Sequence, residues 1–300
     1  MNKTLVTGAT GQVGRFLLRK LIEQKVNFIG LDHRENLIFP SIELLHAEIT
    51  NKKDLEKYKT ELNQITNLIH LATYTTNDKD VTESGPKSVD FNIKGTINLL
   101  EFLPNLENIC YASTYMIYGT PSSNPVTEEH PTNPNVVYGA SKLATEKYLQ
   151  IFSKETGVNL SILRLMGIYN LEKPHIQAIP TFIKLIATNQ NPIVYGTGEI
   201  RRNHLYISDA INAILMTSKN PAPNIFNIGG PEAPSNLELI DMINEKLGKK
   251  IKPIFKQTSE ESYDFIMDVS KARTKLGFNP CVGIQEGLSN TIDRFIKNGW

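Results

Sequence analysis

Tyr138 and Lys142 stand four residues apart in the run VVYGASKLATEKYL, which has the composition of a helix. Residues at this spacing share one face of a helix, so the phenol and the ammonium group can meet at one point. A nearby ammonium group favours the phenolate and would lower the pKa of the phenol from its ordinary value of about 10. The spacing alone also fits an ordinary helix with a surface lysine. Together with the motifs below, it predicts a general base that works near neutral pH.

A glycine-rich turn follows the first apolar run, in the segment TLVTGATGQVGRFLL. Such a turn allows a close approach of the backbone to a pyrophosphate and close packing of helix on strand. Asp32 ends the second apolar run, where a carboxylate can bind the hydroxyls of an adenosine ribose. This acid repels a 2′-phosphate and favours NAD over NADP, although His33 and Arg34 beside it would weaken that preference. The glycines of the turn are Gly8, Gly11 and Gly14.

Composition and charge argue against several classes of function. The 300 residues include 32 basic and 31 acidic ones, so nothing indicates a nucleic-acid surface or a polybasic membrane contact. No apolar run approaches the roughly 18 residues of a membrane span, and the first strand candidate leaves no room for a signal peptide. Cys110 and Cys281 stand in no metal-ligand spacing and fit a reducing compartment. We therefore expect a cytoplasmic globular protein without a bound metal.

Short apolar runs alternate with amphipathic stretches through the first 165 residues, which predicts an α/β fold with a parallel sheet covered on both faces. We expect residues 1–165 to form a dinucleotide-binding domain. Residues 166–300 should form mainly a substrate-binding lobe, with segments near 203–228 returning to the sheet. The predicted strands are Lys3–Thr7, Asn27–Leu31, Leu44–Ala47, Asn67–Ala72, Ile109–Ser113 and Leu160–Leu165. The predicted helices are Val13–Gln24, Lys52–Leu62, Pro86–Leu103 and Tyr138–Lys154.

The segments TGATGQVG and YGASK together resemble the extended short-chain dehydrogenase/reductase family, and within it the nucleotide-sugar epimerases and dehydratases. The resemblance covers nearly the whole chain. It implies a Rossmann-type doubly wound parallel sheet with a smaller C-terminal substrate-binding lobe, an NAD cofactor (NADP being the alternative), a nucleotide-sugar substrate and a homodimer. The further matching motifs are LIHLAT at 68–73, DFNIKGTINLLE at 90–101, YASTYMIYGT at 111–120, GTGEIRRNHLYISDA at 196–210, FNIGGP at 226–231 and KLGFNPCVGIQEGLSNTIDRF at 275–295.

Residue by residue, the resemblance implies a catalytic triad of Thr114, Tyr138 and Lys142. Tyr138 would take a proton from a sugar hydroxyl while a hydride leaves the same carbon for the nicotinamide. Lys142 would hold the ribose hydroxyls, and Thr114 would bind the reacting oxygen. The other implied cofactor contacts are Gln12, Val13, Glu48, Ile49, Leu71, Ala72, Thr73, Asn92, Ala112 and Met166. The implied substrate contacts are Tyr74, Thr114, Tyr115, Met116, Gly167, His175 and Arg202.

The chain departs from the family pattern around the substrate. Tyr115 and Met116 replace the two acids with which the dehydratases eliminate a hydroxyl, and neither can act as a carboxylic acid. Gly167 replaces an asparagine that helps to hold the substrate diphosphate, and the arginine expected just before Asp264 is missing from SEESYDF. Arg202 matches a diphosphate-binding arginine, whose planar fork suits phosphate.

The leading interpretation is an NAD-dependent nucleotide-sugar epimerase, which oxidises C4 of the sugar and reduces the keto intermediate on its opposite face. The alternative is a reductase of nucleotide-bound 4-keto-6-deoxy sugars that consumes NADH or NADPH. A dehydratase with an unusual acid such as His175 ranks third. A non-catalytic dinucleotide sensor is the interpretation from another class, and the presence of the tyrosine–lysine pair argues against it. Many relatives form homodimers through the helices predicted at Pro86–Leu103 and Tyr138–Lys154.

Overall fold

A seven-stranded parallel sheet forms the centre of the protein. The computed structural model describes residues 3–34, 42–75, 81–170, 177–219, 221–258 and 263–299. The strands in chain order are β1 (Thr4–Thr7), β2 (Phe28–Asp32), β3 (Leu44–His46), β4 (Asn67–His70), β5 (Asn108–Thr114), β6 (Asn159–Leu165), β7 (Ile168–Tyr169), β8 (Ile193–Tyr195), β9 (Leu205–Tyr206), β10 (Asn224–Ile228) and β11 (Ile254–Lys256). The order across the sheet is β10-β6-β5-β4-β1-β2-β3. The predicted α/β, doubly wound fold is confirmed.

Helices cover both faces of this sheet, because its strands are apolar runs that need burial on each side. They are α1 (Gln12–Glu23), α2 (Lys52–Glu56), α3 (Lys59–Leu62), α4 (Val81–Ser88), α5 (Gly95–Glu101), α6 (Val137–Thr156), α7 (Ala178–Ala187), α8 (Ile207–Lys219), α9 (Asn236–Leu247), α10 (Ser270–Leu276) and α11 (Ile284–Asn298). A π-helical segment, Val89–Lys94, joins α4 to α5, and a 3₁₀ turn, Tyr115–Ile117, follows β5. No helix in the described ranges is both long enough and apolar enough to cross a membrane.

Two of the predicted helices differ from the observed ones. The stretch Lys52–Leu62 is divided into α2 and α3 by a turn at Lys57 and Tyr58. The helix predicted to begin at Pro86 is already helical at Val81, so Pro86 lies inside α4. Proline at a first helical position is the commoner arrangement and suggested the wrong start. The π-helical segment then widens the helix three residues after the proline, beside the site described below.

The smaller lobe has an apolar core of its own between α7, α9 and α11, which includes Phe182, Ile240 and Leu288. Strands β8 and β11 pair at its margin. Two elements after residue 166 belong to the large sheet and not to the smaller lobe. Helix α8 packs on one face of the sheet, and β10 pairs with β6 at its edge. The division of the chain near residue 165 stays a prediction.

Candidate active site

The glycine turn between β1 and α1 brings two stretches of backbone into close contact. Gly8 has a φ of +66°, and a Cβ atom on it would lie 2.8 Å from the backbone nitrogen of Ala72. A Cβ atom on Gly14 would lie 2.2 Å from the carbonyl oxygen of Gly8. Helix α1 begins after Gly11 with no side chain capping it, so its first N–H groups are suited to bind an anion. Gln12 and Val13 occupy this first turn and are partly exposed.

Asp32, at the end of β2, presents a carboxylate next to this turn. The side chain is 3% exposed and accepts a hydrogen bond from the Thr10 backbone N–H at 3.0 Å. Arg34 donates to both carboxylate oxygens, at 3.1 and 3.4 Å. Burial alone would raise the pKa of Asp32, but the hydrogen bonds and charge of Arg34 lower it below its ordinary value. The acid is therefore ionised and suited to accept hydrogen bonds from ribose hydroxyls.

His33 and Glu48 lie near this carboxylate, and Ile49 follows Glu48 in the chain. His33 Nδ1 is 3.6 Å from Asp32 Oδ1 and 3.9 Å from Glu48 Oε2. Ile49 is buried, and its carbonyl oxygen accepts a hydrogen bond from the Asn98 side chain at 3.2 Å. The partly exposed Glu48 and the apolar Ile49 come just after β3, the strand whose His46 pairs with Asp32. This arrangement is suited to an adenosine.

Asn92 ties the loop after β4 to α6. Its Oδ1 accepts hydrogen bonds from the Thr73 hydroxyl at 2.9 Å and from the Tyr74 backbone N–H at 2.8 Å. Its Nδ2 donates to Ser141 Oγ at 2.8 Å. Because Asn92 lies in the π-helical segment, its carbonyl oxygen also accepts a bond from Thr145 Oγ1 at 2.9 Å. Asn92 thereby fixes the loop after β4 against α6. The loop residues Leu71, Ala72, Thr73 and Tyr74 remain partly exposed.

The 3₁₀ turn that follows Thr114 packs on the start of α6, the helix that carries Tyr138. The Thr114 hydroxyl oxygen accepts a hydrogen bond from the Met116 N–H at 3.3 Å, which leaves its own proton free to be donated. Gly139 allows the close packing, since a Cβ atom there would lie 2.5 Å from the Met116 carbonyl oxygen. Ala112 lies two residues before Thr114 on β5 and is partly exposed.

The pKa of Tyr138 differs from the sequence-based expectation. Burial raises it to about 12, and a hydrogen bond with Thr73 offsets only part of the rise. Burial also lowers the pKa of Lys142 to about 7, while Glu146 one turn further along α6 acts in the opposite direction. The expected lowering of the phenol's pKa is wrong for the protein alone, because both groups lose water and the ammonium group is itself destabilised.

Arg202 is the cation of the predicted substrate side. Its guanidinium lies 5.6 Å from the centre of the Tyr263 ring and beside Tyr115, whose pKa is raised by burial and lowered in part by this arginine. Arg201, in contrast, is held by Glu238 at 2.7 Å. Met166 is buried and Gly167 partly exposed, at the point where the chain leaves β6 for β7. His175 lies outside the described residues.

A model of the NAD-dependent epimerase/dehydratase family matches residues 4–229, three quarters of the chain. The chain belongs to this family. Its predicted membership, its class as an enzyme and its dependence on NAD are confirmed. The fit of the glycine turn, the uncapped helix α1 and the ionised Asp32 to a dinucleotide agrees with this membership.

Individual members of the epimerase/dehydratase family match nearly the whole chain. A Methanocaldococcus jannaschii protein, provisionally named UDP-glucose 4-epimerase, is 33% identical over 98% of this chain and 98% of its own. The dTDP-4-dehydro-6-deoxyglucose reductase of Escherichia coli is 29% identical over 99% and 97%. The structure of Thermotoga maritima UDP-glucose 4-epimerase with UDP-glucose has a TM-score of 0.90, at 25% identity over 98% and 99% of the chains.

A buried layer beneath the candidate site was missed by sequence reasoning. Glu146 and Arg164 form an ion pair at 2.9 Å, with exposed side-chain fractions of 1% and 3%. Ser113 Oγ also donates to the Glu146 carboxylate. The sequence indicated this ion pair only through the placement of two charged residues among apolar ones. Arg164 stands in a predicted strand, and Glu146 follows Lys142 by one helical turn. Arg164 stands three residues before Gly167 in the family motif that Gly167 breaks, but no motif connects it with Glu146.

Proposed function

We propose that this family member is a nucleotide-sugar 4-epimerase that keeps NAD bound through its catalytic cycle. One observation carries the proposal: Tyr138 hydrogen-bonds to Thr73, in the loop whose Ala72 lies against the glycine turn, but the two residues after Thr114 are Tyr115 and Met116. Thr114 and Tyr138 can bind the reacting oxygen and transfer its proton. The two residues after Thr114 provide neither a carboxylic acid for elimination of a hydroxyl nor a thiol for removal of a proton from carbon. Oxidation and reduction at one carbon is the simplest chemistry that such a site performs.

Each catalytic side chain has a distinct role in this proposal. Bound NAD supplies a hydride acceptor and a positively charged ring. Tyr138 removes the proton of the sugar hydroxyl and returns it after the keto sugar has turned over in the pocket. Thr114 donates a hydrogen bond to the same oxygen. Lys142 binds the ribose hydroxyls and, when protonated, favours the phenolate.

Arg202 binds the diphosphate of the substrate in this proposal. It is the arginine of the pair that is not engaged by Glu238, and its planar fork donates bidentate hydrogen bonds to phosphate. Tyr74, Tyr115, Met116 and Gly167 would line the sugar pocket, and a glycine at 167 leaves room there. UDP-glucose and UDP-galactose are the first substrates to test, because two of the compared proteins are named UDP-glucose 4-epimerases.

A second candidate is a reductase of nucleotide-bound 4-keto-6-deoxy sugars. It is favoured by the Escherichia coli dTDP-4-dehydro-6-deoxyglucose reductase, which is 29% identical over nearly the whole chain. The same three catalytic side chains would serve in one direction only, and the dinucleotide would leave after each turnover.

The two candidates differ in the fate of the dinucleotide, so the experiment measures that first. The freshly purified protein is denatured, and the released nucleotide is identified by mass. The intact protein is then incubated with UDP-glucose without added cofactor, and UDP-galactose is followed by proton NMR. Stoichiometric NAD together with epimerisation supports the first proposal. An empty protein that oxidises added NADH or NADPH with a nucleotide-bound keto sugar would replace it with the second.

We also propose that the protein is a homodimer that works in the cytoplasm. Val81, Val89 and Ile151 are exposed by 62%, 51% and 63%, on the neighbouring helices α4 and α6 and the π-helical segment. A second copy would cover these side chains. The free thiols Cys110 and Cys281 are consistent with a reducing compartment. Light scattering of the wild type and of Ile151→Asp tests the dimer, which the variant should dissociate.

A further inference from the structure

Lys142 lies inside the protein on the ring of another residue. Its side chain is 1% exposed, and its Nζ atom lies 4.0 Å from the centre of the Tyr111 ring. Within the described part of the chain, Nζ forms neither an ion pair nor a hydrogen bond with a protein atom. A cation over an aromatic face is attracted by the ring quadrupole, and the attraction is strongest when water is excluded. The Tyr111 ring is therefore the direct contact that favours the charged form of Lys142.

The Tyr111 ring is itself held in place from β4. Tyr111 and His70 are register partners on neighbouring parallel strands, and their rings stack at 5.7 Å with an interplanar angle of 27°. His70 is fixed by hydrogen bonds at both nitrogens, to Thr7 Oγ1 at 2.7 Å and to Thr96 Oγ1 at 2.8 Å. The Tyr111 hydroxyl, in contrast, is buried near Thr145 and forms no hydrogen bond of ordinary geometry among the described residues. The stacking with His70 thus fixes the ring of Tyr111, whereas its hydroxyl has only a weak contact with Thr145.

The other titratable groups around Lys142 do not supply an equivalent contact. His70 is neutral near pH 7, because burial lowers its pKa to about 3. Glu146, one turn further along α6, raises the pKa of Lys142 through its charge but forms no ion pair with Nζ among the described residues. Arg164 and Ser113 bind its carboxylate instead. Tyr138 is protonated in the protein alone, since burial raises its pKa to about 12. A titration between pH 5 and 9 at this place therefore belongs to Lys142.

We propose that Tyr111 is a positioning residue whose ring face holds the Lys142 ammonium group beneath the dinucleotide site and keeps it charged. This inference rests on the proposed function, in which Lys142 binds the ribose of NAD. Tyr111 acts through Lys142 alone. The ring is required and the hydroxyl is not, so phenylalanine should replace tyrosine without loss, whereas an aliphatic side chain should not.

The test compares Tyr111→Phe with Tyr111→Leu in dinucleotide-free protein. Phe226→Leu is the matched control, because it removes a fully buried ring from the same sheet at β10. Lysine labelled with ¹³C at Cε gives the titration of Lys142 by NMR, and the signal is assigned by its absence from Lys142→Met. The affinity for NAD is measured at pH 7 by calorimetry on the same samples.

The proposal predicts that the Lys142 titration moves about one pH unit lower in Tyr111→Leu, a shift between those of an exposed and a fully desolvated cation–π contact. The affinity for NAD at pH 7 should fall about fivefold, in line with the smaller charged fraction. Tyr111→Phe and Phe226→Leu should match the wild type in both measurements. An unmoved titration in Tyr111→Leu, or an equal shift in either control, overturns the proposal. A moved titration with unchanged NAD affinity leaves the role of Tyr111 intact and contradicts the proposed role of Lys142.

Discussion

Replacing Lys142 by methionine should make the dinucleotide-free protein more stable while abolishing its activity. Methionine has nearly the shape of lysine without the charge, and its sulfur packs well against an aromatic ring. Burial lowers the pKa of Lys142 from 10.5 to about 7, so the folded state binds this proton more weakly than the unfolded state. At 1.36 kcal/mol per pKa unit, the difference corresponds to about 5 kcal/mol as an upper value.

The direction of the Lys142 pKa shift determines how the stability gained by Lys142→Met depends on pH. The folded-state pKa lies below the unfolded-state value, so the charge destabilises the protein fully below about pH 7. The penalty then shrinks as the pH rises, and it disappears near pH 10.5, where the unfolded chain also loses the proton. The stability gained by Lys142→Met should follow the same course, large at pH 6 and small at pH 9.5.

Urea unfolding at pH 6, 7, 8 and 9.5 measures this course for the wild type and for Lys142→Met, both freed of dinucleotide. Lys147→Met is the control, because Lys147 is exposed on the same helix and its removal relieves no burial. A gain that is the same at every pH, or a variant less stable than the wild type at pH 6, would refute the reasoning. In that case the ammonium group would be stabilised in the folded protein by contacts stronger than those described.

Three further substitutions have definite expected outcomes. Tyr138→Phe should reduce turnover to less than about a hundredth and leave the NAD affinity within twofold, measured by epimerisation and calorimetry, since only the proton-transfer group is removed. Gly8→Ala should lower the melting temperature and reduce the NAD affinity at least tenfold. The new Cβ atom would lie 2.8 Å from the Ala72 backbone nitrogen, and the residue has a φ of +66°, which favours glycine. An unchanged NAD affinity would contradict the close approach of the backbone to the dinucleotide. Glu146→Gln should cost about 3–5 kcal/mol in urea unfolding by leaving Arg164 buried without its partner, and Glu146→Gln combined with Arg164→Met should recover much of it.

Most of the sheet could be predicted because its strands are apolar runs bounded by turns. The strands β1 to β6 begin and end within two residues of their predicted positions, and the glycine turn falls directly after β1. The pattern of burial on both faces is local information, which a single sequence carries. The start of α4 was predicted wrongly because proline usually occupies the first position of a helix. Pro86 instead lies inside α4, which is the rarer arrangement.

The electrostatics of the site could not be predicted, because they depend on how much water each group loses. The spacing of Tyr138 and Lys142 indicated that the two side chains share a face, and from this we expected a lowered phenol pKa. The fold buries Lys142 and much of Tyr138, and desolvation opposes ionisation of each one. The ring of Tyr111 comes from a strand 31 residues earlier in the chain, and no motif connects it with Lys142.

The buried lysine links stability to ligand binding in a way that suits an enzyme which retains its dinucleotide. The empty protein carries a desolvated ammonium group whose Nζ has no hydrogen bond within the described residues, and it is destabilised by that charge below pH 7. A bound ribose would supply the missing acceptors, so part of the binding free energy removes a strain already present in the folded chain. A ligand that binds only the folded state also stabilises it by mass action. If Lys142 binds the ribose as proposed, the same charge that weakens the empty protein strengthens the loaded one, and this gives a physical reason for a lysine at a buried position.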